Sequence, residues 1–410
     1  MKYGLIGEHL GHSFSKSVHV LLADYEYELN EVAPEDFDTF MLNKDFLAIN
    51  VTIPYKQQVI PYLDWISDTA KEIGAVNCIV NRNGKLYGYN TDFGGVISMI
   101  KREKMDFTNK KVLILGTGGT SNTVYAAAKN LGAREIIKVS RTKKPGVCTY
   151  DEAKKLHSDA DIIINTTPCG MYPNTEETPL CLESFTHLSG VVDVIFNPLE
   201  TLLVHEARQR GIPAVTGLYM LVMQAVLASE IFIDTKYSEE ISEHIYQTIK
   251  NAKENIVLIG MPGSGKTTIG EMLSDRLGRK LIDTDEEIVK SAQMPITEIF
   301  ASQGEAAFRD LETTVIKNCS KETGVIIATG GGAILREENL RALHSNGKLF
   351  FLNRPLEAIL PTDSRPLSSN FEDLKKRYEE RYKKYLAAAD VEIKGDITPS
   401  ETLKRILESE

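Results

Sequence analysis

Apolar and polar positions alternate along this chain in two rhythms, one of strands and one of helices. Short apolar runs at Tyr3–Ile6, Glu28–Val32, Phe46–Val51 and Asn77–Asn81 are separated by stretches of helical spacing. That alternation predicts an α/β sheet covered by helices. The rhythm restarts at Lys111–Leu115, passes through a helical segment at Asn122–Leu131 and returns to a strand at Glu135–Val139. This is a βαβ unit, and further strands are expected at Ile162–Thr166 and Val191–Phe196. It restarts again at Ile256–Ile259, with a helix expected over Thr268–Leu277, a strand running to Asp285 and a buried strand at Val325–Thr329. The most apolar stretch, Leu218–Ile233, is interrupted by Gln224, Ser229 and Glu230, which makes it a buried helix rather than a membrane span. Asp234 to Glu254 is charged and helical in pattern, with no Pro/Gly/Ser linker, so the join there is short and helical. The expected organisation is a lobe over residues 1–101, completed by helices within 217–250, a second lobe over 102–216, a connecting segment at 235–254 and a third lobe over 255–410.

Composition alters this picture little. A chain of 410 residues has room for two or three domains and ample core. The net charge of −10 argues against nucleic acid as the main partner, while allowing a local basic pocket for phosphate. Five scattered cysteines with no C-x-x-C pair suit a reducing cytosol better than a disulfide or zinc framework. The N-terminus reads as a first strand, not a signal peptide, and the expected location is the cytoplasm.

The strongest chemical statement is Gly260-Met261-Pro262-Gly263-Ser264-Gly265-Lys266-Thr267, between an apolar strand and a helix. It fits G-x-x-x-x-G-K-[ST], whose backbone N–H groups turn inward around phosphate oxygens at a helix N-terminus. Gly263, Ser264, Gly265, Lys266, Thr267 and Thr268 are the expected ATP-binding positions. Lys266 would reach the β- and γ-phosphates and Thr267 would hold Mg²⁺.

Polar residues gather at strand ends in the first lobe. Ser13 and Ser15 follow the first strand, just before a helix start, where one of them would serve as an N-cap. Asn50-Val51-Thr52-Ile53-Pro54-Tyr55-Lys56, Gly74-Ala75-Val76-Asn77 and Asn90-Thr91-Asp92-Phe93-Gly94 end or open strands. Taken singly, each is turn or cap chemistry; together they could converge on a hydroxyl-rich small molecule. With Gly11-His12-Ser13-Phe14-Ser15-Lys16-Ser17, these four motifs resemble shikimate dehydrogenase, in that family's own order. The resemblance covers nearly all of residues 1–250. It implies that Ser13, Ser15, Asn50, Thr52, Asn77 and Asp92 hold the ring hydroxyls and carboxylate, with Lys56 and Asp92 as the catalytic pair. The chemistry agrees: reducing a ketone needs a proton source aimed at the oxygen that receives charge, and a lysine oriented by a carboxylate supplies one.

Gly116-Thr117-Gly118-Gly119-Thr120-Ser121 follows a strand and opens a helix, although Ser121 stands where G-x-G-x-x-G has its third glycine. At the end of the next strand, roughly 20 residues on, an NAD site would place an acid on the ribose. Here stand Ser140-Arg141-Thr142-Lys143-Lys144, which favour NADP, because cations bind a 2′-phosphate. The expected cofactor contacts are Gly116, Gly118, Gly119, Thr120, Ser140, Arg141, Thr142 and Lys143, with Val194 and Gly217 near the nicotinamide by resemblance. Asn165-Thr166-Thr167-Pro168-Cys169-Gly170-Met171 resembles the family's loop beside the nicotinamide, and Cys169 is expected to be a packing residue. Phe196 stands where the family usually has a tyrosine touching substrate, a departure that removes one hydrogen bond from the pattern. Gln224 is expected to reach back to the substrate from the closing helix.

From Asn255 onward the chain resembles shikimate kinase. Asp283 and Asp285 end a strand with spacing that points both the same way. One would act on Mg²⁺ or its waters, and the other would accept the attacking hydroxyl's proton. The resemblance gives Asp283 the metal side, with Thr267, and gives Asp285 the catalytic and substrate-binding side. It implies that Arg309 and Arg381 clamp the substrate carboxylate, that Gly331 lies beneath the substrate and that Arg365 reaches the nucleotide phosphates from a lid. The family's lid usually begins with an arginine that stacks on adenine, and Leu360-Pro361-Thr362 has none.

The two halves together imply consecutive steps: NADPH-dependent reduction of 3-dehydroshikimate, then phosphorylation of shikimate by ATP and Mg²⁺. The partners expected are small-molecule substrates, with no nucleic acid and no membrane. Two rival readings are a quinate-tolerant dehydrogenase fused to a kinase for another small polyol, and a nucleotide-sensing scaffold without chemistry. Ser13 and Ser15 favour shikimate over quinate; the joint presence of Lys56, Asp92, Lys266, Asp285 and Arg309 opposes the scaffold.

Overall fold

In the computed structural model, residues 1–11, 14–359, 371–395 and 398–409 are described. The chain forms two compact units, Met1–Asn197 with Thr201–Ile249 and Pro198–Glu200 with Lys250–Glu410. Each is α/β, and the first contains two sheets.

The first sheet comprises β1 (Tyr3–Gly7), β2 (Tyr27–Glu31), β3 (Ala48–Val51), β4 (Trp65–Ile66), β5 (Cys78–Arg82) and β6 (Lys85–Tyr89), in the order β2-β1-β3-β5-β6-β4. β1 is parallel to both its neighbours, whereas β5 runs antiparallel to β3 and β6. Every residue of β3 is buried, as expected of a central strand covered on both faces.

The second sheet is wholly parallel. Its strands are β7 (Lys111–Leu115), β8 (Glu135–Ser140), β9 (Val147–Thr149), β10 (Ile162–Asn165), β11 (Gly190–Asp193) and β12 (Ala214–Val215). The order β12-β11-β10-β7-β8-β9 is the doubly wound arrangement of dinucleotide-binding domains, with its crevice beyond the ends of the neighbouring strands β7 and β10, where the strand order reverses. The helix after β7 runs from Gly119 to Asn130 and so starts earlier than the apolar pattern suggests. Ser121, in the place of the third glycine, is fully buried inside its first turn. A small side chain there suffices for helix to pack on sheet.

The helix Leu218–Ile233 lies against the helix Thr91–Arg102 and joins the two sheets' layers. No described helix is long and apolar enough to cross a membrane. The charged segment after it forms the helix Glu239–Lys253, and its apolar face is docked rather than free. Arg102 donates to Glu243 at 2.8 and 3.0 Å, and its guanidinium lies 4.9 Å and 4.6 Å from the ring centres of Tyr219 and Tyr246. An arginine held by a fork of hydrogen bonds between two aromatic faces exploits both of its recognition modes.

The second unit is built on β13 (Asn255–Ile259), β14 (Leu281–Asp283), β15 (Ile326–Ala328), β16 (Gly347–Asn353) and β17 (Val391–Lys394). All are parallel, in the order β14-β15-β13-β16-β17. β13 is central, so the glycine-rich loop leaves the sheet at its middle, and the helix that follows spans Lys266–Leu277. The long helix Ile296–Cys319 is broken at Gly304, where φ 81° and ψ 172° belong to a region only glycine occupies readily.

Candidate active sites

In the first unit Lys56 Nζ donates to Asp92 Oδ2 at 2.7 Å, with the side chains 30% and 15% exposed. Local chemistry fixes both. Asp92 sits in the first turn of the helix Thr91–Arg102, whose cap Asn90 accepts from the Phe93 N–H at 3.2 Å and donates to the Ala75 carbonyl at 2.9 Å. Asn77 grips the same helix start, accepting from the Thr91 N–H at 2.7 Å and donating to its hydroxyl at 3.0 Å. Asn50, on β3, donates to the Asn77 carbonyl at 3.2 Å. The Lys56 carbonyl accepts from the Val76 N–H at 2.8 Å, which ties the lysine's turn to the segment that leads through Asn77 into β5.

These residues face a cavity of about 450 Å³. Ser15, Asn50, Thr52, Lys56, Asn77 and Asp92 line one side, and Thr120, Val194, Phe196, Gly217 and Gln224 the other. All the expected dehydrogenase substrate residues are therefore brought together except Ser13, which lies outside the described residues. Ser15 opens the helix Ser15–Leu22 as its first residue, and Phe14, not a serine, occupies the cap position. Phe14 also meets Phe196 edge-on across the cavity, with ring centres 5.3 Å apart. The Gln224 amide donates to the Leu221 carbonyl of its own helix at 2.9 Å while lining the cavity. A Cβ on Gly217 would fall on the Val194 carbonyl, so this wall admits only glycine there.

A second cavity, of about 600 Å³, opens at the crevice of the parallel sheet. Gly116, Gly118, Ser140, Arg141, Thr166 and Thr167 line it. Gly116 has φ 111°, and a Cβ there would come within 2.7 Å of Thr166 Oγ1, so this close approach of two cavity-lining loops requires glycine. Gly119 and Thr120 form the first turn of the helix behind, where N–H groups favour phosphate. The Thr142 N–H closes the basic turn on Ser140 Oγ at 3.2 Å. Lys143 behaves differently from expectation. Its ammonium is 2.5 Å from Glu152, whose carboxylate also accepts from the Thr149 N–H in a capping box. Lys143 lines a separate cleft with Lys144, Cys148 and His157, not the cavity of Arg141. Cys169 lines the cofactor cavity half-buried, with burial and the nearby Glu177 raising its thiol pKa, and it is not a fully packed core residue.

Behind both cavities lies Asp193, fully buried at the end of β11. It accepts from Asn165 Nδ2 at 3.1 Å, the Ile195 N–H at 3.1 Å and Thr201 Oγ1 at 2.8 Å. Burial pushes its carboxyl pKa up to about 6, against those hydrogen bonds.

In the second unit, Lys266 Nζ donates to the Gly260 and Met261 carbonyls at 2.9 and 3.0 Å, so the loop curls around its own lysine. Ser264 Oγ is buried in that loop with no hydrogen-bond partner among the described residues. A lysine inside the curl and an orphaned hydroxyl fit a ring of phosphate oxygens. Thr267 Oγ1 donates to Asp283 Oδ2 at 2.8 Å, which brings the expected metal residues together. Thr268 follows in the same helix. The two acids do not share a strand face. β14 ends at Asp283, which caps the next helix by accepting from the Asp285 N–H at 3.0 Å and the Glu286 N–H at 3.5 Å; Asp285 lies in that helix's first turn. The cap turns the chain between the two acids, and spacing along an extended strand no longer applies.

Asp285 nevertheless faces the glycine turn after β15: a Cβ on Gly330 would lie 2.6 Å from Asp285 Oδ1 and 3.1 Å from Glu312 Oε1. Arg309, buried, donates to Glu312 at 2.7 Å and to Glu305 at 3.2 Å. Arg381 and Tyr385 both donate to the Gly331 carbonyl, at 2.9 and 2.6 Å. Asp285, Arg309, Gly331 and Arg381 thus gather around one point; Arg365 lies outside the described residues. Glu312 and Tyr385 join them; each lies in the sequence stretch singled out for its neighbouring arginine, Gly304–Glu312 and Glu380–Tyr385, but neither was expected to have a role of its own. Glu312 stands one turn from Arg309 on the same helix face, a spacing that could have shown it.

Comparison with known proteins agrees with this geometry. Residues 5–79 match the shikimate dehydrogenase substrate binding domain, and residues 262–409 match shikimate kinase. The shikimate dehydrogenase (NADP(+)) of Clostridium perfringens strain SM101 is 37% identical over 266 residues, covering 60% of this chain and 98% of that protein. The chain belongs to the shikimate dehydrogenase family, fused to a shikimate kinase domain. Among solved structures, a chorismate mutase/shikimate 5-dehydrogenase fusion protein from Clostridium acetobutylicum shares 40% identity at a TM-score of 0.57, covering 60% of this chain and 96% of that one. The shikimate 5-dehydrogenase of Thermus thermophilus, solved with NADP(H) and shikimate, shares 26% identity at a TM-score of 0.54, covering 60% of this chain and 99% of its own.

Proposed function

We propose that the first unit of this shikimate dehydrogenase–kinase fusion reduces 3-dehydroshikimate to shikimate with NADPH, and that the second converts shikimate to shikimate 3-phosphate with ATP and Mg²⁺. The observation that carries the first half is the 2.7 Å Lys56–Asp92 pair inside a cavity walled by Asn50, Asn77 and Gln224. Bound NADPH supplies the hydride. Lys56 meets the substrate oxygen and gives it a proton or holds its growing negative charge, and Asp92 fixes the ammonium's direction. Asn50, Asn77, Thr52 and Ser15 hold hydroxyl and carboxylate groups so that the ketone carbon faces the wall formed by Val194 and Gly217, on the nicotinamide side.

In the second unit Lys266, the loop N–H groups and Ser264 hold the nucleotide's phosphates, while Thr267 and Asp283 hold the metal through an oxygen pair of the kind Mg²⁺ prefers. Asp285 takes the proton of the attacking hydroxyl, and Arg309 and Arg381 bind the carboxylate. Little covalent work falls to the protein in such a transfer, which is mostly positioning and charge stabilisation. The domains of this reading are a substrate-binding lobe over 1–101, completed by helices within 217–250, an NADP-binding lobe over 102–216, a connecting segment at 235–254 and a kinase over 255–410.

One assay tests both halves: purified chain with dehydroshikimate, NADPH and ATP–Mg²⁺, each product followed. Shikimate should appear and then its 3-phosphate. Lys56→Ala should abolish reduction and leave phosphorylation of added shikimate intact; near-normal reduction by that variant would overturn the assignment of Lys56.

A further inference from the structure

Asn50 is a buried substrate-cavity residue on β3, and its side-chain oxygen is already in use. Tyr27 reaches from β2 over the intervening β1 and donates its phenolic proton to Asn50 Oδ1 at 2.8 Å. The amide nitrogen of the same side chain donates to the Asn77 carbonyl at 3.2 Å. The two bonds together set which end of the amide is oxygen and which is nitrogen. The Ser15 hydroxyl, from the helix Ser15–Leu22, also hydrogen-bonds the Tyr27 phenol. A single buried phenol thus joins two residues of the cavity wall that come from different elements.

The phenol is itself immobilised. Tyr27 is 1% exposed, and its ring lies flat on the His19 imidazole, with centres 3.9 Å apart and planes 8° from parallel. His19 is fully buried, and burial holds it neutral. Its Nδ1 is 2.6 Å from the Tyr25 hydroxyl, which donates onward to Ser229 Oγ at 2.8 Å. The His19 ring is thus joined through the Tyr25 hydroxyl to Ser229. Ser229 belongs to the helix Leu218–Ile233, which also carries Gln224. Tyr27 therefore stands on a framework of stacked rings and hydroxyls tied to both walls of the cavity.

We propose that Tyr27 is a positioning residue of the dehydrogenase site, fixing the Asn50 amide so that this residue offers nitrogen, and hence a donor, to an oxygen of the substrate. The inference rests on the dehydrogenase reading above and adds the polarity of one contact. With Tyr27 in place, the group recognised at Asn50 is a hydrogen-bond acceptor, a carboxylate or a hydroxyl lone pair. Without the phenolic proton the nitrogen keeps the Asn77 carbonyl, but the buried oxygen loses the donor that Tyr27 supplies and the amide is held at one end only. Tyr27 does not touch the reacting atoms, so its loss acts on binding and leaves the Lys56–Asp92 chemistry in place.

The test is steady-state kinetics on the full chain carrying Tyr27→Phe, Asn50→Ala, or both, with the circular dichroism spectrum and unfolding temperature of each preparation as the folding control. Tyr27→Phe should raise KM for dehydroshikimate about tenfold, the effect of one hydrogen bond to a fixed amide, with kcat and KM for NADPH within about twofold of the parent. In the Asn50→Ala background, Tyr27→Phe should change KM no further. An unchanged KM in the single variant, or equal effects of Tyr27→Phe with and without Asn50, would overturn the inference. A loss of kcat matched by a lowered unfolding temperature would do the same, assigning Tyr27 a purely structural role. Wild-type chain that reduces no dehydroshikimate would overturn the dehydrogenase reading itself, and this inference with it.

Discussion

Arg309 Nη1 donates to Glu312 Oε2 at 2.7 Å, one turn apart on a single helix, and the Glu312 side chain is only 1% exposed. Burial raises the Glu312 pKa, and the Arg309 guanidinium pulls it back down. The arginine expected to bind the substrate carboxylate is therefore already anchored, with Gly332 beneath it, where any Cβ would fall on the guanidinium. An anchored arginine arrives in one orientation and loses little entropy when a carboxylate binds.

Removing that anchor should be costly. Glu312→Ala leaves a guanidinium in the pocket without its buried partner, and loss of one member of such a pair costs about 3 kcal/mol or more. The expected outcome is thermal inactivation of the kinase at a lower temperature and a raised KM for shikimate. Heat inactivation of the dehydrogenase should be unchanged. Following the two activities separately in one heated sample checks this.

Cofactor preference should rest on Arg141 and not on Lys143. Arg141 lines the crevice cavity, whereas Lys143 is held by Glu152 outside it. Arg141→Ala should raise KM for NADPH about tenfold or more and reduce the preference over NADH. Lys143→Ala removes an exposed ion pair, which contributes little, and should leave KM for NADPH within about twofold. Equal effects of the two variants would contradict the separation of the two clefts.

Asp193 predicts a pH dependence. Its pKa is raised from 3.8 to about 6, so the folded state holds the proton more tightly than the unfolded chain does. Stability from this group is therefore fully present below pH 3.8, falls as pH rises towards about 6, and stays reduced above that; the full change is about 3 kcal/mol. Asp193→Asn keeps an oxygen for Asn165 and Ile195, and the Thr201 hydroxyl can turn to accept from the new amide. The variant should raise the temperature of dehydrogenase inactivation at pH 8, with a smaller gain at pH 5. Thermal inactivation at the two pH values measures it, and an equal or lower temperature at pH 8 would contradict burial as the dominant effect.

Much of this protein was legible along the chain. Apolar runs mark β1, β2, β3, β5, β7, β8, β10, β11, β13, β14 and β15, with ends displaced by up to three residues, because a buried strand leaves no alternative to a continuous apolar stretch; β4, β9, β12, β16 and β17 were not read from the chain. The glycine loop at Gly260 and the groups at Asn50, Lys56, Asn77 and Asp92 were equally plain, since turns and strand ends need particular residues at particular spacings. By resemblance Arg309 and Arg381 were expected to bind the substrate carboxylate, and the fold brings both to the glycine turn.

Other features needed the folded chain. Asp283 and Asp285 looked like neighbours on one strand face, but a helix begins between them, because the Asp283 carboxylate captures two N–H groups of the next turn. Lys143 looked like a phosphate ligand beside Arg141, and only the position of Glu152, brought up by its own capping box, turns it away. Tyr27 carries no local sign of a role; its partners Ser15, His19 and Asn50 come from another helix and another strand. Residue type and spacing thus determined the sheets, the phosphate loop and which side chains could do chemistry. The direction of each polar side chain depended on a partner distant in sequence, since a buried donor or acceptor is satisfied by whatever group packing brings to it.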